Sequence, residues 1–142
     1  MNVTGLAGAV GLGLAFAMSA AVSGGMAAES GLSAFQGAWL QSSPSCAEVY
    51  SFSGKDVSFR SPVDIFAPAF IISGNRLRTP QASCRIRSVK PAGDRQLFTL
   101  DCANMVSANE VRVLMARAPD GSLRRYFNDQ DRAGTPYQRC SR

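Results

Sequence analysis

The stretch Cys84-Arg-Ile-Arg-Ser-Val-Lys-Pro-Ala-Gly-Asp-Arg-Gln-Leu-Phe-Thr-Leu-Asp-Cys102 contains two alternating polar and apolar segments around a Pro-Ala-Gly-Asp turn. This pattern is typical of a β-hairpin with one face turned inward and one turned to solvent. Centring the hairpin on the glycine of the turn places Cys84 opposite Cys102 and Arg85 opposite Asp101. One register therefore yields both a cysteine pair and an opposite-charge pair. The same register predicts the pairs Ile86 with Leu100, Ser88 with Phe98, Lys90 with Gln96, Val89 with Leu97 and Arg87 with Thr99.

The four cysteines of the chain predict two disulfides, because an even count in an exported domain is typical of a disulfide framework. Their spacing alone allows three pairings. The hairpin register favours Cys84 with Cys102, which leaves Cys46 with Cys140. A zinc site is the alternative use of these cysteines, but the chain has neither a histidine nor a Cys-x-x-Cys motif, so no metal is predicted.

Turn-forming residues recur at short intervals along the chain, and the segments between them are strand-like. Each segment has roughly five to nine residues rich in Val, Ile, Phe and Tyr, which is the pattern of an all-β sandwich or barrel. The clearest further hairpin joins 110–118 to 123–127 over an Asp-Gly turn. We therefore predict an all-β, disulfide-linked domain over 35–142, built as a small antiparallel β-barrel or sandwich of about eight strands.

The N-terminal segment carries the features of an export signal. Residues 1–28 contain no charged side chain, and their apolar stretch Val10–Val22 is followed by small residues that fit cleavage after Ala27 or Ala28. The sequence thus predicts a signal peptide over 1–28 and a loose leader over 29–34. It predicts a periplasmic or secreted protein with no stable membrane insertion after cleavage. The alternative, an uncleaved anchor, is disfavoured because the stretch is rich in Gly and Ala.

The composition excludes most enzyme classes. The chain has 142 residues and no histidine, so it lacks the commonest general base and metal ligand. No Gly-x-Ser-x-Gly elbow is present, and neither lysine follows a Ser-x-x-Lys pattern. The segment Asp129–Gly134 resembles the start of a calcium loop, but Ala133 and Cys140 occupy two ligand positions, so a polar turn is predicted. We predict no catalytic residue, no cofactor and no enzymatic activity.

The basic charge does not indicate nucleic-acid binding. The net charge is +5, but the basic residues are scattered along the chain with acidic residues between them, and there is a single Trp. Basic and aromatic residues are not interleaved as in proteins that bind nucleic acids. A solubilising surface is the expected role of these charges.

The segment Phe35-Gln-Gly37-Ala-Trp39-Leu40 resembles the Gly-x-Trp opening of lipocalin-like barrels, including small exported bacterial barrels that inhibit proteases. The resemblance implies that Trp39 plugs one end of the barrel. It also implies that an Arg from the last strands, here Arg124 or Arg125, packs over the indole ring. The chain departs from the inhibitors in offering two disulfides where those often have one. The alternative is a buried Trp in another kind of β-sandwich.

The most apolar stretch of the domain, Val63–Ile72, is interrupted by a proline. We expect Phe66 to be buried in a bend between two strands, since exposed aromatic side chains promote association. In the alternative, Phe66, Pro68 and Phe70 contact a partner.

Binding is the function that these observations favour. We expect a non-catalytic binding domain that acts as an inhibitor or partner-binding protein of the bacterial cell envelope. The alternatives are a carrier of a small apolar ligand in the barrel and a structural envelope protein. A carrier needs a hollow interior, whereas many bulky side chains favour a filled one. The bulky candidates are Tyr50, Phe52, Phe59, Phe70, Phe98, Tyr126 and Phe127.

Overall fold

The computed structural model describes residues 31–141, so the predicted signal peptide lies outside the described residues. A 3₁₀-helix covers Leu32–Phe35, and a short helix, α1, covers Cys46–Val49. The strands are β1 (Gly37–Leu40), β2 (Tyr50–Ser53), β3 (Asp56–Phe59), β4 (Ala69–Ser73), β5 (Arg76–Arg78), β6 (Ser83–Ala92), β7 (Arg95–Ala103), β8 (Ala108–Arg117), β9 (Leu123–Tyr126) and β10 (Thr135–Cys140). Within 31–141 no helix is long and apolar enough to cross a membrane.

Eight strands close into an antiparallel barrel in the order β1-β10-β9-β8-β7-β6-β5-β4. The other two, β2 and β3, pair only with each other. Burial alternates along the barrel strands as the pleat requires: in β6, Cys84 and Ile86 are buried while Arg85 and Arg87 are exposed. The prediction of an all-β, disulfide-linked barrel is confirmed.

The two ends of the barrel differ, because antiparallel strands send alternate connections to opposite ends. The end that we call closed carries the 3₁₀-helix and the connections that contain Gly74, Gly93 and Gly121. The end that we call open carries four connections, 41–68, 79–82, 104–107 and 127–134. At the closed end, Leu32 and Ala34 of the 3₁₀-helix pack against the barrel interior.

A second apolar cluster lies outside the barrel. The β2–β3 hairpin and α1 cover the outer face of β1 and β4, where Ala38, Leu40 and Ile71 are buried. The Tyr50 hydroxyl reaches through this layer to the backbone carbonyl oxygens of Trp39 at 2.6 Å and Phe70 at 3.0 Å. Burial raises the pKa of Tyr50 above its usual range, so the hydroxyl keeps the proton that it donates.

The predicted β6–β7 hairpin forms, but its register is correct only at the disulfide end. Cys84 lies opposite Cys102, Arg85 opposite Asp101 and Ile86 opposite Leu100, as predicted. Nearer the turn every predicted pair is wrong by one residue. The observed partners there are Ser88 with Thr99, Val89 with Phe98 and Lys90 with Leu97.

A β-bulge at Arg87 causes this shift. The turn has two residues, Gly93 and Asp94, between the paired Ala92 and Arg95, so the hairpin is not centred on Gly93 itself. The bulge adds one residue to β6, so the pairs between the bulge and the disulfide agree with the predicted register. Although Arg85 is the residue paired with Asp101 in the ladder, the ion pair to this carboxylate, at 2.8 Å, comes from the bulged Arg87.

Both disulfides connect the cysteines that the hairpin register favours. Cys84–Cys102 bridges neighbouring strands β6 and β7, and Cys46–Cys140 joins α1 to the end of β10. The second bridge therefore attaches the outer layer to the barrel wall, because Cys46 and Cys140 both belong to the outer apolar cluster.

Candidate functional site

Trp39 occupies the closed end of the barrel and is fully buried. Its indole Nε1 donates a hydrogen bond of 2.9 Å to the carbonyl oxygen of Phe35, at the end of the 3₁₀-helix. The guanidinium carbons of Arg117 and Arg139 lie 4.8 and 4.9 Å from the indole centroid, within the range of a cation–π contact. Trp39 therefore packs between the closed end of the barrel and the guanidinium groups of two arginines.

Gly37 lies beside one of these cations, in a backbone conformation that favours glycine. Gly37 and Trp39 lie on the same face of β1, and Arg139 lies opposite Trp39 on β10. A Cβ on Gly37 would be 3.6 Å from the Arg139 side chain, and the backbone there has φ 127°, a conformation that other residues rarely adopt. The Gly-x-Trp motif therefore places a residue with positive φ, Gly37, at the start of the strand and the indole ring of Trp39 two residues later.

The prediction that Arg124 or Arg125 packs over Trp39 is wrong. Arg124 points out of the barrel and donates a 2.8 Å hydrogen bond to the Ala133 carbonyl oxygen. Arg125 points inward, but at the open end, because β9 runs away from the closed end after Leu123. The sequence did contain a signal for the correct arginine. The predicted Cys46–Cys140 disulfide brings Arg139, the neighbour of Cys140, close to the start of the domain.

At the closed end the Arg117 guanidinium is held by backbone carbonyl oxygens. Arg117 donates hydrogen bonds to the carbonyl oxygens of Ala34, Gly121 and Ser122. Burial, followed by the charge of Arg139, lowers the pKa of Arg117. These bonds connect the 3₁₀-helix to the β8–β9 turn.

The open end contains a cavity of about 440 Å³. Its floor and walls are mostly apolar, and Arg125 is the only charged residue among those that line it. The apolar lining from the strands comprises Ala69, Phe70, Leu77, Leu100, Val111, Val113 and Met115. The lining includes no Asp, Glu or Lys, so it holds no pair of side chains suited to general acid–base chemistry.

Exposed apolar side chains lie at the same end of the barrel as this cavity. Among the described residues, the large hydrophobic residues that remain exposed are Ile65, Phe66, Met105, Val106, Val111 and Phe127. All except Val111 belong to connections of the open end, and Val111 lines the cavity. Apolar exposure is therefore concentrated at one end of the barrel, which is typical of a binding surface.

The expected burial of Phe66 is wrong, because its side chain is 79% exposed. The cause is a local turn: the Asp64 carboxylate accepts a 2.9 Å hydrogen bond from the Phe66 amide. The next residue, Ala67, points inward instead. Pro68 is half-buried and Phe70 belongs to the inner core, so of these three residues Phe66 alone is exposed to solvent.

The seven bulky candidates for the barrel interior are placed differently from the prediction. Only Phe70 and Phe98 lie in the inner core. Tyr50, Phe52 and Phe59 pack in the outer cluster, Tyr126 lies under the Arg95 guanidinium, and Phe127 is exposed. The closed half is filled instead by Phe35 and Trp39, and the open half keeps its cavity.

The Asp129–Gly134 segment forms the polar turn that the sequence predicted. The Asp131 carboxylate accepts hydrogen bonds from the amides of Phe127 at 3.0 Å and Gly134 at 2.9 Å. These bonds lower the pKa of Asp131.

No protein family, no curated protein and no solved structure matches this chain. The function is therefore inferred from the geometry of the open end.

Proposed function

We propose that this chain is an exported, non-catalytic binding domain that carries a small apolar ligand in the open half of its barrel. The mostly apolar lining of the open-end cavity, whose volume is about 440 Å³, supports this proposal most directly. Its volume falls within the range of about 300–1,000 Å³ that is typical of small-molecule sites. The mostly apolar lining of this cavity is the reason why we place the carrier before the protein-binding function.

The shape of the site supports uptake from one side only. Phe35 and Trp39 close the far end, so a ligand enters through the exposed apolar connections of the open end. Burying apolar ligand surface against the exposed side chains of the lining, such as Ile65, Phe66 and Val111, supplies the driving force, at about 25 cal/mol for each Å² removed from water.

The lipocalin-like resemblance is consistent with this role. An N-terminal 3₁₀-helix, the Gly37-x-Trp39 opening and Arg139 of the last strand over the indole ring are the features that support it. The two disulfides are consistent with an oxidising, extracytoplasmic location. The export signal proposed for residues 1–28 accords with a periplasmic or secreted site of action.

A protein partner is the second candidate, and the exposure of Phe66 favours it. Phe66 projects from the same end as Met105, Val106 and Phe127, so a partner docked there would cover several apolar side chains at once. An inhibitor of a hydrolase or a binding protein of the envelope fits this surface. In that case the cavity accepts an apolar side chain of the partner.

A fluorescence titration tests the carrier role. The neutral dye N-phenylnaphthylamine, whose emission rises in apolar surroundings, is added to the purified, disulfide-oxidised protein. We expect saturable binding that is lost in Val113→Phe, because the larger ring fills the cavity. Val106→Phe is the matched control, since Val106 lies outside the cavity lining. Absence of dye binding to the unmodified protein, or equal binding by Val113→Phe, would contradict the proposal.

A further inference from the structure

Building on the proposed carrier function, we infer that the ligand is a single-chain amphiphile with an anionic headgroup, and that Arg125 binds this headgroup. The apolar chain of the ligand lies in the cavity, and its carboxylate, sulfate or phosphate lies at the open end. Three observations support this inference: the position of Arg125, its lack of a protein partner and the charge of the cavity lining.

Arg125 lies on the inner face of the barrel at its open end. Leu123, two residues earlier on β9, is fully buried in the inner core, and the period of a strand turns Arg125 to the same face. Its partners in the ladder are Met115 on β8 and Thr135 on β10. Arg125 nevertheless remains exposed, because β9 ends one residue later at the mouth of the cavity.

The Arg125 guanidinium has no protein partner within 31–141. No carboxylate lies within 4 Å of it, and it donates no hydrogen bond there. Three other arginines near the barrel ends are hydrogen-bonded: Arg117 donates to three carbonyl oxygens, Arg95 to two and Arg124 to one. Arg139 donates none among the described residues, but its guanidinium packs over the Trp39 ring. The three hydrogen-bonded arginines hold turns together, whereas Arg125 keeps all its donors free at an apolar site.

The charge of the cavity lining selects the sign of the headgroup. Arg125 is the only charged residue there, so no acidic side chain competes for it or attracts a cationic ligand. A guanidinium binds carboxylate or phosphate oxygens through two parallel hydrogen bonds.

Tyr137 provides a second polar group for an anion. Its ring lines the cavity, and its hydroxyl accepts a 3.1 Å hydrogen bond from the Gln41 side-chain amide. With its acceptor side occupied in this way, the hydroxyl keeps its proton free to donate to a ligand oxygen. The volume of about 440 Å³ lies near the lower limit for small-molecule sites, which favours one alkyl chain over two.

Displacement of N-phenylnaphthylamine tests the inference with four dodecyl amphiphiles, each kept below its micelle-forming concentration. Dodecanoate and dodecyl sulfate are the anionic members, dodecanol is neutral and dodecyltrimethylammonium is cationic. We expect the anions to bind at least about tenfold more tightly than dodecanol and the cation to bind most weakly. Added salt should weaken the binding of dodecanoate but not that of dodecanol.

Two variants locate the headgroup. Arg125→Gln should reduce the affinity for dodecanoate about tenfold while leaving that for dodecanol unchanged, and Arg125→Lys should retain part of the preference. Arg112→Gln is the matched control, since it removes the same charge from the outer face of the adjacent strand β8. The melting temperature of each variant shows that it is folded.

The outcomes separate this inference from the carrier function. Equal affinity for dodecanol and dodecanoate, or an equal loss in Arg125→Gln and Arg112→Gln, overturns the anionic headgroup and leaves the carrier function standing. Tighter binding of a two-chain anionic phospholipid than of dodecanoate overturns the single chain. If neither the dye nor any amphiphile binds, the carrier function and this inference both fail.

Discussion

Trp39 and Arg139 lie directly opposite each other on β1 and β10, with the guanidinium carbon 4.9 Å from the indole centroid. This cross-strand pair joins the first strand of the barrel to the last, and therefore closes the barrel at the same point where the indole ring plugs it. Gly37 lies beside this pair, and its φ of 127° is a backbone conformation that residues with a side chain rarely adopt.

Replacing Arg139 should change the environment of the ring. Arg139→Met keeps an apolar stem but removes the charge, so we expect a shift in tryptophan emission and a loss of about 0.5–2 kcal/mol in the free energy of unfolding. Since Trp39 is the only Trp, its emission reports this site alone. Arg125→Met is the control and should leave the emission unchanged. A change in emission in Arg125→Met but not in Arg139→Met would instead support the prediction from the sequence that Arg125 packs over the ring.

A side chain at Gly37 should destabilise the barrel. Its φ of 127° is unfavourable for any residue with a Cβ, so Gly37→Ala should lower the free energy of unfolding by about 1–3 kcal/mol, measured by denaturant titration. Ala38→Ser is the comparison variant. Ala38 lies on the opposite, outer face of β1, so this substitution tests burial in the outer apolar cluster. A loss below about 0.5 kcal/mol in Gly37→Ala would show that the strand start adapts without strain.

Phe66 and Phe70 should respond in opposite ways to the same substitution. Phe66→Ser should change the free energy of unfolding by no more than about 0.5 kcal/mol, because the side chain is already in solvent. Phe70→Ser should cost several kcal/mol, since it leaves a cavity and buries a hydroxyl. Chemical denaturation of both variants makes the comparison. A large loss in Phe66→Ser would mean that the side chain is buried in solution.

The two disulfides should contribute unequally to stability. They close loops with sequence separations of 18 and 94 residues. The loop-entropy relation then gives about 3 kcal/mol for Cys84–Cys102 and about 4.5 kcal/mol for Cys46–Cys140. Unfolding of the two double Cys→Ser variants measures these values, and non-reducing peptide mapping checks the pairing. Recovery of a Cys46–Cys84 peptide would contradict both the hairpin and the attachment of the outer layer.

Acid should weaken the β9–β10 turn through Asp131. Hydrogen bonds from backbone amides lower the pKa of this carboxyl in the folded state, so its contribution is complete above the unfolded pKa of about 3.9. The contribution is lost as the pH falls through the lowered folded-state value. Asp131→Asn should therefore melt below the unmodified protein at about pH 7, and the gap should narrow below about pH 4. Asp129→Asn is the control, and a gap that stays constant with pH would contradict the prediction.

Much of the fold follows from local pattern in the sequence. The alternation from Cys84 to Cys102 indicates which side chains face inward, and a single ladder register then brings the two cysteines together. The same logic leaves Cys46 and Cys140 as the second pair. The Asp-Gly turn likewise predicts the β8–β9 hairpin, which the structure contains. These features are accessible because a strand has a two-residue period and a hairpin joins neighbours in the chain.

The features of the candidate site depend on how the strands close around the barrel. The bulge at Arg87 shifts the hairpin register without leaving a signal in the apolar pattern. Arg139 and not Arg125 meets Trp39, because the level of each residue along the axis depends on the length of its strand and on the register of every intervening pair. The exposure of Phe66 and the cavity beside Arg125 have the same origin. Period and turn chemistry act over a few residues, whereas the interior of a barrel is assembled from strands distant in sequence, so only the tertiary structure decides which side chains share it.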